Sequence, residues 1–409
     1  MRPANVLFIL TDDQGYGDLS CMGSDVIRTP HIDALAQSGV RCTQWYSGSA
    51  VCSPSRASLL TGRFPGNAGV RSILSGHRTA SGMPPEVPTL ARMLGEQGYA
   101  TFLSGKWHLG ARRACWPSAH GFQRWFGFLA GCVDYFSHIY YWEMNHNGSN
   151  PIHDLWEDGR EQWLEGRYLT ELISERAIGY LQDAHAAGRP FFGYVAYNAP
   201  HYPMHAPERY RQRFAHLPWD RQLMAAMLAA VDDGVGAICS ELERLGLRED
   251  TLIVFTSDNG PSRESRNWLD GTLDPYYGGS TGGLRGHKFS LFDGGIRVPG
   301  IVSYPRGLPR ALVSDAVVGS FDAVPTALAA CGLPSAGYEF DGRDVLPDLS
   351  GASAPARDLF WELGGQTAIR RDRWKLVLNG QRVENEPPTE SVFLADMWDD
   401  PSERLNRAS

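Results

Sequence analysis

The chain has 409 residues, a formal net charge of −8, 43% hydrophobic residues, 45 glycines and 26 prolines. That apolar fraction excludes a disordered chain, and the mild acidity argues against nucleic acid as a partner. The length supports a large buried core rather than a disulfide-stapled miniprotein, and the aperiodic glycine and proline exclude collagen while implying many turns.

In chain order, Val6–Leu10 is a continuous apolar run of strand length. Thr29-Pro30 then supplies an N-cap and first-turn proline for a helix carrying Ile32, Leu35 and Ala36 and closed at Gly39. A second helix is expected from about Pro88, with Leu90, Met93 and Leu94 at helical spacing, stopping near Gly98 and feeding a strand over Tyr99–Leu103. The pattern repeats twice. A helix expected over Leu169–Ala187 precedes a strand over Phe191–Tyr197, and one over Arg221–Leu245 precedes a strand over Thr251–Thr256, with breaks at Gly188 and Gly246. Such alternation predicts an α/β fold with a mostly parallel central sheet flanked by helices. After the proline-rich stretch near Leu346–Pro355 come short segments, Leu359–Glu362, Thr367–Leu378 and Val392–Met397, that suit a small antiparallel sheet. The expected division is a catalytic domain over 1–350 and a small C-terminal α+β subdomain over 351–409.

No uncharged apolar run approaches the roughly 20 residues needed to cross a bilayer, so no membrane partner is expected. The N-terminal MRPANVLFIL meets Asp12 at once, without the apolar length or cleavage site of a secretory signal. The expected compartment is cytoplasmic as the sequence stands, and periplasmic or secreted if a signal peptide has been removed. Seven cysteines, at 21, 42, 52, 115, 132, 239 and 331, are odd in number and form no C-x-x-C pair. Neither a disulfide framework nor a zinc site is indicated, and most should be small buried hydrophobes.

In doubly wound sheets, ligands bind beyond the carboxyl ends of the strands. The first strand ends in Asp12-Asp13, Tyr99–Leu103 leads to Lys106 and His108, Phe191–Tyr197 leads to His201, and Thr251–Thr256 ends in Asp258-Asn259. Singly, each pair reads as turn or cap chemistry, and a lone histidine as structural. Together they gather oxygen ligands with cationic and imidazole groups. Clustered carboxylates without a cation are electrostatically costly, and hard oxygen ligands favour Ca²⁺ or Mg²⁺ over zinc.

The segment Cys52-Ser53-Pro54-Ser55-Arg56, followed by Thr61-Gly62-Arg63, is the most specific feature. Pro54 can open a helix, leaving Cys52 at an N-terminus where free N–H groups favour an anion, and Arg56 adds a donor fork. An ordinary cysteine beside a helix start and a reactive low-pKa thiol are the two other physical readings.

The chain resembles a type I sulfatase of the alkaline phosphatase superfamily. The C-x-P-x-R core with its Thr-Gly-Arg is similar to the family signature whose cysteine is oxidised to formylglycine. The likeness covers nearly the whole chain: NVLFILTDDQGYGDL, TPHIDALAQSGVR, GYATFLSGKWHLG, Asn198-Ala199-Pro200-His201, TLIVFTSDNGP, the stretch from Gly286-His287-Lys288 to Pro299, and FLADMWDDPSERLN. It implies an alkaline phosphatase-like fold. It also implies that Asp12, Asp13, Asp258 and Asn259 hold a divalent cation, Ca²⁺ by preference with Mg²⁺ as the alternative, and that the modified Cys52 completes the shell. Lys106, His108, His201 and Lys288 match the family's cationic ring, and Arg56 matches the arginine that steadies the formylglycine. Ser137 and His138, after the aromatic stretch at Asp134-Tyr135-Phe136, are candidate substrate contacts. After Lys288 the chain departs from the pattern, with Phe289-Ser290-Leu291 in place of more usual small residues.

The mechanism implied is attack on sulfur by one hydroxyl of a hydrated aldehyde, with Asp258 as proton acceptor. His201, together with Lys288, protonates the leaving oxygen, and His108 takes the remaining hydroxyl proton as sulfate is eliminated. Maturation implies a transient partner, a formylglycine-generating enzyme or an anaerobic radical counterpart, recognising the unfolded CSPSR segment. The resemblance leans toward the arylsulfatase A/B and N-acetylgalactosamine-sulfatase branch, which implies a sulfated carbohydrate substrate with aryl sulfates as surrogates. Tyr135, Phe136, Tyr140, Tyr141, Trp142, Trp156 and Trp163 form either a stacking wall for a sugar ring or a hydrophobic lid. The alternatives are a phosphonate monoester or phosphodiester hydrolase on the same scaffold, a noncatalytic sulfated-glycan-binding protein, and a cysteine hydrolase.

Overall fold

The strand Asn5–Thr11 lies inside a mixed sheet that has ten strands among the described residues. From edge to edge the order is Arg160–Glu161, Trp156–Glu157, Arg124–Phe128, Ala100–Lys106, Phe191–Ala196, Asn5–Thr11, Thr251–Ser257, Gly300–Ser303, Val40–Cys42 and Leu312–Ser314. The computed structural model describes residues 3–141, 144–145, 148–149, 151–263, 278–352 and 355–408. Five neighbouring strands, from Arg124–Phe128 to Thr251–Ser257, run parallel. Gly300–Ser303 is antiparallel to both of its neighbours.

Period-two alternation sends side chains of Asn5–Thr11 into two cores. Leu7 and Ile9 pack with the helices Leu169–Ala186 and Trp219–Arg244, while Val6, Phe8 and Leu10 pack with the helices Cys52–Thr61, Leu90–Glu96 and Ala323–Ala330. Both faces are therefore covered, which is why the run is apolar at every position. The helix Trp219–Arg244 is long and apolar enough to cross a membrane by length and composition, a feature the sequence reading did not single out. Here 72% of its apolar window is buried, and it packs beside Leu169–Ala186.

The expected alternating elements all form, with no end shifted by more than three residues. The short strands Val40–Cys42, Arg124–Phe128, Gly300–Ser303 and Leu312–Ser314 went unread. They are too brief to show a period, and their pairing partners are remote in sequence. The expected single segment Thr367–Leu378 is two strands, Gln366–Arg371 and Trp374–Gly380, turning at Asp372 with φ 52°. With Asp358–Leu363 and Glu390–Asp396 they make a four-stranded antiparallel sheet. Its inner residues Leu359, Trp361, Val377 and Phe393 pack on Tyr46, Phe292 and Phe321 of the main body.

Candidate active site

Parallel register aligns Gly105, Ala196, Leu10 and Thr256 across four adjacent strands, so whatever follows them emerges at one edge of the sheet. Lys106 and His108 follow the first, Asn198 to His201 the second, Asp12 and Asp13 the third, and Asp258 and Asn259 the fourth. Cys52 reaches the same place from another direction, as the first residue of a wholly buried helix that Gly62 closes in the left-handed region at φ 71°. Pro54 sits third in that helix, within the first turn whose N–H groups have no carbonyl to meet. Val51 provides no side-chain cap, so the N-terminal donors stay open toward the site.

Ion pairs join these segments. Asp12 Oδ2 lies 2.5 Å from Lys106 Nζ and 3.3 Å from Arg56 Nη2, and its Oδ1 lies 3.6 Å from Cys52 Sγ. Arg56 Nη2 also donates to Asp258 Oδ2 at 2.8 Å. Asp13, with φ 60°, meets Lys288 Nζ at 2.7 Å and His201 Nε2 at 3.6 Å, and accepts from Asn259 Nδ2 at 2.7 Å. Three carboxylates thus face three cations, all buried. Burial pushes the Asp13 carboxyl up, but the Lys288 charge outweighs it and brings it down to about 2. Burial and the neighbouring Asp12 push Asp258 up to about 6.

Both histidines are held neutral. Burial, then the Lys288 charge, bring His201 down to about 4, and burial with Lys106 and Arg56 puts His108 well below the ordinary range. His108, at φ 53°, sets Nε2 3.0 Å from the Leu74 carbonyl and leaves a buried Nδ1 without a partner among the described residues. Nε2 therefore carries the proton and Nδ1 the lone pair. A Cβ at Gly131 would fall 2.8 Å from this imidazole, so only glycine lets the ring sit there. His201 Nδ1 meets the Tyr202 carbonyl at 2.5 Å, leaving Nε2 to accept from Lys288 Nζ at 3.3 Å. Burial pushes the Cys52 thiol up, and no histidine hydrogen-bonds its sulfur among the described residues, so the activated-thiol reading has no support in the geometry.

The donor set fits a hard cation. Ligand atoms of Asp12, Asp13, Cys52 and His201 lie within 4.8 Å of one another, and Asn259 Oδ1 is buried with no partner among the described residues. An orphaned buried amide oxygen beside carboxylates is the acceptor that oxygen-seeking Ca²⁺ or Mg²⁺ takes.

Ser137 and His138 stand outside this cluster. The His138 ring is buried with Nε2 on the Arg167 carbonyl, and Ser137 Oγ lies 3.5 Å from Tyr141. Their loop touches the site through Tyr135, whose hydroxyl donates to the carbonyls of Asn198 and His201. Sequence reasoning missed Leu74, which acts through its backbone, and Gln366 and Gln381, which come from the C-terminal sheet to hold the Lys288 loop. Backbone acceptors, and side chains 77 and 92 positions away, leave no local signal.

The Sulfatase family model matches residues 4–333. Human arylsulfatase A is 32% identical over 445 residues, covering 99% of this chain and 83% of its own length. The dog N-acetylgalactosamine-6-sulfatase is 32% identical over 385 residues, covering 89% of this chain and 69% of its own. The crystal structure of Ps i-CgsB is similar over 100% of this chain and 89% of its own, at TM-score 0.86 and 30% identity. The phosphonate monoester hydrolase of Agrobacterium radiobacter shares the fold at TM-score 0.66 and 21% identity. With an alkaline phosphatase-like sheet and one buried cluster of paired carboxylates and cations beside Cys52, the chain belongs to the sulfatase family and is a sulfuric ester hydrolase.

Proposed function

We propose that this enzyme removes sulfate from a sulfated carbohydrate, with Cys52 oxidised to formylglycine and a divalent cation, Ca²⁺ before Mg²⁺, held by Asp12, Asp13, Asp258 and Asn259. The observation that carries the reading is the position of Cys52: a buried thiol at an uncapped helix start, 3.6 Å from Asp12 Oδ1 and with no histidine upon its sulfur among the described residues. Burial pushes that thiol up, away from the reactive thiolate, whereas a hydrated aldehyde supplies one hydroxyl to attack sulfur and a second whose deprotonation expels sulfate. The carbohydrate rests on the relatives: Ps i-CgsB, 30% identical, was solved in complex with k-i-k-neocarrahexaose.

The bound cation would polarise the nucleophile's oxygen and offset charge on the sulfuryl group. Asp258, a buried carboxylate held by Arg56 at 2.8 Å, is the proton acceptor for the attacking hydroxyl. His201 and Lys288, 3.3 Å apart, hold the proton passed to the leaving oxygen. His108 Nδ1, with its lone pair free, receives the proton of the second hydroxyl. Lys106 and Arg56 are fixed by Asp12 and Asp258, positive groups already oriented before sulfuryl charge develops.

The transient partner is a maturation enzyme acting on the unfolded CSPSR segment. Peptide mass analysis of the Cys52 region should find an aldehyde that reacts with a hydrazide probe, and Cys52→Ala should lose aryl sulfate turnover while keeping its far-UV circular dichroism. Full activity in that variant would overturn the reading.

A further inference from the structure

Of the aromatic residues between 134 and 163, most are packing residues. Tyr135 and Tyr140 are buried, Phe136 packs on Tyr168, and Trp156 packs on Trp116, while Trp142 lies outside the described residues. Trp163 differs: it is 62% exposed, yet its indole is stacked on His153 with centroids 3.9 Å apart and planes 9° from parallel. The ring below it is anchored. His153 Nδ1 lies 3.0 Å from Glu161 Oε1, and Arg78 Nη2 donates both to the His153 carbonyl at 3.0 Å and to Glu161 at 3.2 Å. One indole face is fixed against a braced imidazole and the other is offered to solvent.

The brace also ties this ring to the reaction centre. Arg78 belongs to a largely exposed segment that includes Leu74, whose carbonyl meets His108 Nε2 and whose N–H donates to Ser53 Oγ, next to Cys52. Four backbone steps lead from Leu74 to Arg78, a span of at most roughly 14 Å. The strand Ile152–His153 is itself held by antiparallel pairing with Ile139–Tyr140. An exposed, rigid aromatic face on the rim of a site for sulfate esters suits a saccharide. The negative face of the indole attracts the polarised C–H groups on the apolar side of a pyranose, and its fixed orientation avoids an ordering cost on binding.

We propose that Trp163, braced by His153, Glu161 and Arg78, is a stacking platform for a pyranose ring of the saccharide that carries the ester sulfate. The platform rests on the carbohydrate reading above and makes that reading specific: it selects oligosaccharides over single small esters.

Two measurements test it on the full-length matured enzyme. The first compares kcat/KM for a sulfated neocarrahexaose or chondroitin sulfate hexasaccharide with kcat/KM for an aryl sulfate. Trp163→Ala should lower the oligosaccharide-to-aryl ratio about tenfold, mainly through KM, and Trp163→Phe should recover part of it. The second follows tryptophan fluorescence during titration with the same hexasaccharides, where a quench present in the wild type and absent in Trp163→Phe is expected. An unchanged ratio, or quenching that survives the substitution, overturns the platform while leaving the sulfated-carbohydrate reading in place. A wild type that cleaves aryl sulfate but neither cleaves nor binds either hexasaccharide overturns both.

Discussion

The side-chain amide of Gln366 donates to the carbonyl of Phe289 at 2.7 Å, and Gln381 donates to the same oxygen at 3.2 Å. Phe289 follows Lys288 and has φ 70°, so the residue that departs from the family pattern occupies a left-handed position that a bulky side chain adopts only under constraint. The C-terminal sheet supplies that constraint. Gln366→Ala removes its own bond to that carbonyl, worth about 1 kcal/mol. Lys288 should then lose its fixed position against Asp13 and His201, lowering kcat/KM on an aryl sulfate about tenfold with circular dichroism unchanged.

Cation binding should be visible as stability. A ligand at a hundredfold excess over its Kd adds about 2.7 kcal/mol. Ca²⁺ should therefore raise Tm and a chelator reverse the gain, with Mg²⁺ effective at higher concentration. In Asn259→Ala, which deletes the orphaned Oδ1, the Ca²⁺-dependent rise measured by differential scanning fluorimetry should shrink markedly.

Two ion pairs of similar length should differ sharply in worth. Lys106 and Asp12 are fully buried at 2.5 Å, whereas Arg71 and Glu362, 3.0 Å apart, are about two-thirds exposed. Lys106→Met strips a buried carboxylate of its nearest cation and should cost about 3–5 kcal/mol by denaturant unfolding, besides abolishing turnover. Arg71→Ala should cost less than about 1 kcal/mol.

A buried lysine beneath the C-terminal sheet serves two carboxylates. Lys375 Nζ lies 2.6 Å from Asp293 Oδ1 and 2.9 Å from Glu403 Oε1. Burial, with Asp293 adding to it, pushes Glu403 up from 4.5 to about 7 against the pull of Lys375. Because the folded value exceeds the unfolded one, this group's contribution to stability is complete below about pH 4.5 and is lost as pH rises through about 7. Thermal unfolding from pH 5 to about pH 8 should show Tm falling across that window, and Glu403→Gln should flatten the slope.

The strand-end carboxylates, Lys106, His108 and His201 were legible because parallel sheets put chemistry after the strands, and each apolar run showed where its strand stops. Cys52 was legible through its neighbours Pro54 and Arg56. The short strands at Val40–Cys42 and Gly300–Ser303 were not, since three or four residues carry no period and their pairing is decided by remote partners. The aromatic run from 134 to 163 left two readings open because composition cannot say which ring faces water. Packing decides that, and it separates Trp163 from Tyr135 and Tyr140.

Cys52 is only 2% exposed, inside a helix in which every residue is buried. Its cage draws on residues from Asp12 to Lys288, so the chain must be largely synthesised before the pocket can close around the sulfur. On the maturation proposed above, an oxidising enzyme would have an interval that opens when the CSPSR segment becomes accessible and shuts when the helix docks. The fraction of mature enzyme would then be the outcome of a race between two clocks, one of folding and one of modification. Slower folding or a scarcer oxidase would change specific activity without altering a single contact in the finished protein.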